Sequence, residues 1–196
     1  MNKKEFKPTD KVVIKGIVTV YQEDPKTGER IYLVKDKENH WVDAGLKGLV
    51  SALIGDHVES GYVKAWSYSP KIYLGTDTDT ATGHNTTALV SPIGSAPGTP
   101  PDHTDGCDLS NPSTGVWEVC YIAIWYAGSV SGTVGEMALY LRPFTNLTPL
   151  WSVDGSATFD EAMVSRLSVA DGDFSAFAID TSKSLTVEWK IRIEFA

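Results

Sequence analysis

The chain has 196 residues and a formal net charge of −8, with 42% apolar and 21% charged residues. That balance excludes the weakly apolar, highly charged class that stays disordered, and the length suits a single domain. Nucleic acids and acidic membranes are bound by clustered Lys and Arg, so the negative charge argues against either partner. We find no run of roughly 20 apolar residues that would span a bilayer.

The N-terminal part predicts a polar arm over residues 1–10, followed by one domain over residues 11–196. The arm has basic residues without a following apolar run, so we expect no signal peptide and synthesis in a cytoplasm. The β-branched run Lys11–Gln22 and the apolar run Arg30–Asp36 read as strands. Asp24–Glu29 between them carries Pro and Gly turn chemistry, which predicts a hairpin.

One short α-helix is predicted near residues 43–54. Asp43 suits the N-cap position and Gly55 suits the C-terminal stop. Four apolar side chains recur at i, i+3, i+4 and i+7, which places them on one core-facing side: Leu46, Leu49, Val50 and Leu53.

The middle of the chain predicts a strand ending at Gly75 and then a long Pro/Gly-rich loop at 95–115. Loops of this length usually have a role or a partner that orders them. We therefore regard Ser95–Gly115, together with Lys3–Asp10, as candidate interface segments.

The strongest strand patterns lie in the second half. Val116–Ala127 is apolar on both alternating faces, which predicts cover on both sides by a helix or a neighbouring subunit. Glu136–Pro143 and Ala162–Asp171 predict further strands. Leu185–Phe195 alternates strictly between apolar and polar residues, as a half-buried antiparallel strand does. Together these elements predict a mainly β fold, an antiparallel, jelly-roll-like β-sandwich.

No motif for nucleophilic, zinc-protease or nucleotide chemistry is present in the sequence. The histidines His40, His57, His84 and His103 are not spaced two or four residues apart, as single-element metal sites usually require. The two cysteines, Cys107 and Cys120, give neither a disulfide framework nor metal spacing, and Cys120 is expected in the core. We therefore predict no catalytic residue, no metal ligand and no cofactor.

Two acidic patterns have alternative interpretations. Asp77, Asp79 and Gly83 resemble part of a calcium loop, but the ligand positions do not match, which favours an Asx-turn. Glu118 and Glu136 offer the carboxylates of a glycosidase, but nothing in the sequence brings them together. Glu136 is better explained as a fixed contact to a loop.

Taken in order, five segments resemble a loose group of tailed-bacteriophage virion proteins. The group's patterns are N-x-hydrophobic-V-x-x-G, I-x-L/I-G-T-G followed by D-T-A-L, E-x-G-L, L-x-A/S-R-x-x-F/V and L-x-V-x-W-x-I/V-x-F. The matching segments are Asn39–Gly45, Ile72–Thr76 with Thr86–Leu89, Glu136–Tyr140, Val164–Val169 and Leu185–Ile191. The chain departs from the group at Asp77 and Ala138, where Gly is common.

The resemblance implies a virion structural protein of the tail, fibre, neck or head, without catalysis. Its partners would be copies of itself and other virion proteins, and its location the virion after synthesis in the host cytoplasm. Closed homo-oligomers are the common form of such assemblies. The alternative is a carbohydrate-binding or receptor-binding module, since Tyr and Trp on an exposed sheet can stack on sugars.

Overall fold

The computed structural model describes residues 11–42, 45–46, 58–59, 62–63, 71–95, 98–105, 109–141 and 162–195. These residues form a mainly antiparallel β-sandwich, as the sequence predicts, and every strand pairing among them is antiparallel. The predicted N-terminal arm lies outside the described residues. Within the described ranges, no helix is long and apolar enough to cross a membrane.

The larger sheet has six strands and holds both the first and the last strand of the described chain. Its strands are β1 (Val12–Glu23), β2 (Arg30–Glu38), β7 (His103–Asp105), β8 (Leu109–Ser113), β9 (Val116–Trp125) and β14 (Ser184–Phe195). The order is β2-β1-β14-β9-β7, and β8 also pairs with β9. Strands β1 and β14 pair along their whole length, so the predicted hairpin β1–β2 and the predicted terminal strand lie side by side.

The smaller sheet has four strands. They are β3 (His40–Trp41), β6 (Lys71–Gly75), β11 (Glu136–Leu141) and β12 (Ala162–Ser168), in the order β3-β12-β11-β6. Two further strand pairs form separate two-stranded sheets, namely β4 (Val58–Glu59) with β5 (Tyr62–Val63), and β10 (Thr133–Val134) with β13 (Phe177–Ala178).

The main core lies between the six-stranded sheet and the four-stranded sheet. Val187 and Trp189 of β14 are buried there against a set that includes Met137 and Leu139 of β11. The alternation of the terminal strand predicts this inward face, and the structure confirms it from Leu185 to Ile191. The register of β14 is strongly specified, because a shift by one residue would exchange the whole buried face for the polar one.

A second, smaller core lies on the opposite face of β11. Ala138 and Tyr140 pack there with Tyr73 of β6 and with Leu89. Tyr140 meets Tyr73 edge to face at 5.2 Å between ring centroids, and its hydroxyl accepts the backbone N–H of Leu89 at 3.2 Å. Strand β11 is therefore covered on both faces, and all six of its residues are buried.

Only a short part of the predicted helix can be compared. Gly45 and Leu46 are helical, and the Leu46 N–H donates to the Val42 carbonyl at 3.1 Å. Leu46 is 41% exposed, although the helical pattern places it on the core-facing side. The other residues of the predicted helix over 43–54 lie outside the described residues.

The prediction of one continuous loop at 95–115 is wrong, because the segment contributes β7 and β8. Both pair with β9, whose backbone N–H and C=O groups would otherwise form an open sheet edge. Strands of three and five residues are too short to show a period of two, and Pro112 reads as a loop residue. Proline is tolerated in β8 because this strand is an edge strand.

The sequence predicts that both faces of β9 are covered. Within the single chain, residues are fully buried by apolar packing on one face only. Ala123 and Trp125 on its inner face are buried in the main core. Cys120, Ile122 and Ile124 on its outer face are half-buried, so the expected core placement of Cys120 is also wrong. Val119 and Tyr121 on the inner face are also half-buried, so the two faces differ most clearly at Ala123 and Trp125.

Candidate functional site

A buried polar network stands at the centre of the smaller sheet. Arg166 of β12 and Glu136 of β11 are both 0% exposed. The Arg166 Nε and Nη2 groups donate to Glu136 Oε2 at 3.0 and 2.7 Å. Charged side chains are almost never fully buried unless they are paired, and this pair satisfies that requirement.

The pair also holds residues 76–95, which we name the anchored loop. Arg166 Nη1 donates to the Thr80 carbonyl at 2.8 Å, and Nη2 lies 3.4 Å from Asp77 Oδ2. Glu136 accepts the backbone N–H groups of Ser91 at 2.8 Å and Val90 at 3.2 Å. One ion pair thereby binds both halves of the loop that covers the second core, and the expected contact of Glu136 to a loop is confirmed.

Gly75, at the end of β6, lets the carboxyl group of Glu136 lie directly against the backbone. A Cβ atom at this position would come within 2.6 Å of Glu136 Cγ and 2.8 Å of Cδ. Glu136 is fixed by its hydrogen bonds and cannot give way cheaply. The glycine is therefore required for close packing rather than for an unusual backbone angle.

We expect Gly75→Ala to lower the free energy of unfolding by about 1–3 kcal/mol or more, as overpacking in a tight interior does. Gly83→Ala is the matched control, because the nearest atom to its added Cβ is Asn85 Oδ1 at 3.1 Å, on a flexible side chain. Urea unfolding of both variants measures the difference. Equal stability of the two variants would contradict the described packing of Gly75 against Glu136.

The network continues from the anchored loop to the turn that follows β12. The Thr82 hydroxyl donates to Asp171 Oδ2 at 2.6 Å, and the Ser168 hydroxyl donates to the same oxygen at 2.7 Å. The Ser168 N–H donates to Asp173 Oδ2 at 2.9 Å. His40 Nε2 of β3 lies 3.5 Å from Asp173 Oδ1.

The two neighbouring carboxyl groups respond differently to this environment. Burial acts to raise the pKa of Asp171, but hydrogen bonds from Thr82 and Ser168 outweigh it, so this pKa lies below its ordinary value. Burial raises the pKa of Asp173, and the negative charge of Asp171 raises it further against the opposing effects of Ser168 and His40. The charged form of Asp173 is thus the less well stabilised of the two.

The other residues that the sequence offers as candidates either lie away from this network or fall outside the residues that the structure describes. His84 and His103 are exposed, and His57 and Cys107 are not among the described residues. Glu118 lies on the outer face of the larger sheet and pairs with Arg192, so Glu118 and Glu136 belong to different sheets. Each carboxylate has its own arginine partner, Arg192 for Glu118 and Arg166 for Glu136.

The acidic segment beginning at Asp77 forms the expected turn. Asp77 Oδ2 accepts the Thr80 N–H at 2.9 Å, and Asp79 accepts the Thr78 hydroxyl at 3.1 Å. Asp77 Oδ2 also lies 3.4 Å from Arg166 Nη2.

Three of the five segments that carry the phage resemblance meet at this network. Ile72–Thr76 and Thr86–Leu89 supply Gly75 and the anchored loop, and Glu136–Tyr140 and Val164–Val169 supply Glu136 and Arg166. The resemblance motifs therefore coincide with one connected buried structure. Arg166 belongs to no functional motif in the sequence, although an Arg in an apolar strand is a signal for a buried ion pair.

Comparison with protein-family models, with curated proteins and with solved structures finds no match to this chain.

The chemistry available to the network centre is structural. Because Arg166 and Glu136 have no exposed surface, neither can touch a substrate in the described conformation. Their hydrogen-bonding groups contact each other and the anchored loop. The pair therefore fixes the shape of one side of the sandwich.

A second candidate site is the outer face of β9, which we define as Cys120, Ile122 and Ile124 together with Tyr126, the residue directly after the strand. The first three are half-buried, and Tyr126 is 55% exposed. Elsewhere on the same sheet face, Lys15 pairs with Glu194 at 2.9 Å. Burial raises the pKa of the Cys120 thiol, which keeps it in the unreactive protonated form.

Proposed function

We propose that this protein is a structural component of a phage-like virion, of the tail, fibre, neck or head-decoration type. It acts by assembling with copies of itself and with other virion proteins, and it performs no catalysis. The observation that carries the proposal is the outer face of β9, an apolar strip on a sheet whose inner face is already filled. The resemblance in the smaller sheet supplies the class of particle.

The outer face of β9 has the composition of an interface centre rather than of an ordinary wet sheet face. Isoleucine side chains occupy successive outward positions at Ile122 and Ile124, where solvent-facing strands normally carry polar residues. The neighbouring pair Arg192–Glu118 is neutralised within the chain, so a partner need not supply countercharges there. These features favour a second copy of the chain as the occupant, because closed self-association is the common form of oligomer.

The buried network supports the same proposal from the other side of the sandwich. An assembly subunit must present a surface of fixed shape, since association is weakened when a surface has to be ordered on binding. Glu136 and Arg166 hold the anchored loop in one arrangement through five hydrogen bonds to its backbone and side chains. The resulting sandwich is suited to repeated, identical contacts.

Light scattering after size exclusion, over a range of concentrations, tests the proposal. We expect the unaltered chain to give a defined oligomer larger than its own 21.3 kDa. Ile124→Glu should shift the mass toward that of a single chain, because a charge in an apolar interface is costly to desolvate. Ile31→Glu is the matched control, since Ile31 is an exposed isoleucine on β2, away from β9.

A mass of one chain at every concentration would contradict self-assembly. If Ile124→Glu and Ile31→Glu dissociated the oligomer equally, the outer face of β9 would not be the surface through which the copies associate. Circular dichroism of both variants shows whether the sandwich is retained.

A carbohydrate-binding or receptor-binding module is the second candidate, and Tyr32 of β2 favours it. Tyr32 is 52% exposed and lies 5.6 Å from the Tyr21 ring, over which Arg30 stacks at 4.5 Å. This aromatic pair is small, and Tyr126 is three strands away, at roughly 14 Å for ordinary strand spacing. Binding of oligosaccharides that is lost in Tyr32→Ala, together with a single-chain mass, would favour this candidate over assembly.

A further inference from the structure

We propose that His40, Asp171 and Asp173 form a binding site for a divalent transition metal, with Zn²⁺ as the best-suited ion. The three residues come from two places in the chain, β3 and the turn after β12. The spacing of histidines in the sequence predicts no metal site, but the fold brings an imidazole to two carboxylates. The site is independent of the proposed assembly through β9, which lies in the other sheet.

The geometry suits a shared ion. One ligand atom from each residue lies within 4.8 Å of the other two. Ligand atoms bound to one zinc ion at about 2.0–2.2 Å lie roughly 3–4.4 Å apart, so only a small contraction is needed. His40 is exposed enough to rotate, and its Nε2 already faces Asp173.

Neighbouring groups orient the two carboxylates from behind. Asp171 Oδ2 accepts hydroxyl groups of Thr82 and Ser168, and Asp173 Oδ2 accepts the N–H of Ser168. Hydrogen bonds of this kind hold metal-binding carboxylates in place and raise affinity. The other carboxylate oxygen of Asp173, Oδ1, lies 3.5 Å from His40 Nε2.

The charge of the surroundings also favours a cation. The connected network contains the carboxylates Asp77, Glu136, Asp171 and Asp173 and a single guanidinium, that of Arg166. Four negative groups against one positive group leave three formal negative charges when His40 is not counted. The guanidinium faces Glu136 and Asp77, so Asp171 and Asp173 are the pair with the least positive charge next to them.

The ligand set selects the class of ion. Imidazole nitrogen with two carboxylate oxygens suits Zn²⁺ or a similar transition metal. Ca²⁺ requires six to eight oxygen ligands and gains little from an imidazole. Three protein ligands leave one tetrahedral position for water. A bound ion would join β3 to the β12 turn and, through Thr82, to the anchored loop.

Isothermal titration of the full chain with ZnCl₂, after removal of metals with a chelator, tests the site. We expect one Zn²⁺ per chain, with affinity at least tenfold weaker in His40→Gln and in Asp173→Asn. The second variant keeps an acceptor for the Ser168 N–H. His103→Gln, which removes an exposed histidine of the larger sheet, should leave the affinity unchanged.

Three results would overturn the site. They are the absence of binding heat, an equal loss in the His40 and His103 variants, and tighter binding of CaCl₂ than of ZnCl₂. Circular dichroism identifies any variant that fails to fold, and the remaining ligand variant then decides. Because the mass in solution is measured separately, failure of the metal site and failure of the assembly proposal are distinguishable.

Discussion

Replacing Arg166 by Met is expected to lower the free energy of unfolding by roughly 3–5 kcal/mol. The substitution leaves Glu136 fully buried without its countercharge and removes donors to the Thr80 carbonyl and the Thr82 hydroxyl. Urea unfolding, followed by tryptophan fluorescence, measures the loss. Amide hydrogen exchange should also become faster at Val90 and Ser91, because the Arg166 side chain no longer binds the anchored loop to which they belong.

Arg30→Met is the matched control. Arg30 pairs with Glu23 across β1 and β2, but its side chain is half exposed, and exposed ion pairs contribute little to stability. A cost for Arg166→Met no larger than that for Arg30→Met would contradict the buried network. The double variant Glu136→Met with Arg166→Met should cost less than the two single changes added together, since it leaves no buried charge. Recovery should be partial, because the Val90 and Ser91 N–H groups lose their acceptor.

Replacing Trp189 by Ala is expected to cost about 3–5 kcal/mol, the usual range for removing a large aromatic side chain from a core. Trp189 is fully buried between the sheets, where it neighbours Val18 of β1 and Tyr121 of β9 in register. The cavity left behind would lie at the middle of the larger sheet. Thermal unfolding and urea unfolding both report this loss.

Trp117→Ala provides the comparison for Trp189→Ala. Trp117 lies on the inward-facing register of β9, but at the end of the sheet, and it is 47% exposed. Its removal should cost much less, because little buried volume is lost. If the two tryptophan variants lost the same stability, the assigned register of β14 between β1 and β9 would be wrong.

The long strands of the fold are predictable from the sequence because their periodicity is sustained. Leu185–Ile191 alternates without a break, and Glu136–Leu141 and Ala162–Ser168 are apolar enough to mark strands. The strands β3, β7 and β8 escape prediction because two to five residues cannot establish a period. Their existence is decided by neighbouring strands that need backbone partners, and this information is not local.

The candidate site is predictable only in fragments. The context of Glu136 indicates a loop contact, which the structure confirms, but its partner Arg166 lies 30 residues later and carries no spacing rule. His40 is separated from Asp171 and Asp173 by most of the chain, so a search for closely spaced ligands excludes it. The segments that resemble virion proteins include Glu136 and Arg166, but the resemblance does not indicate that these two side chains touch.

The pairing of β1 with β14 also affects how the protein is made. Glu23 and Ser184, which pair at one end of these strands, are 161 residues apart in the chain. A ribosome adding 5–20 residues per second needs roughly 10–30 s to supply the missing neighbour. During this interval the hairpin β1–β2 has an unpaired edge on β1, and the core that Trp189 fills is incomplete. When many copies are made at once, the unpaired β1 edges of different chains can meet. The β14 strand of one chain could then pair with β1 of another. Slow release of the chain from the ribosome, or a chaperone, would favour pairing of β14 with β1 of its own chain.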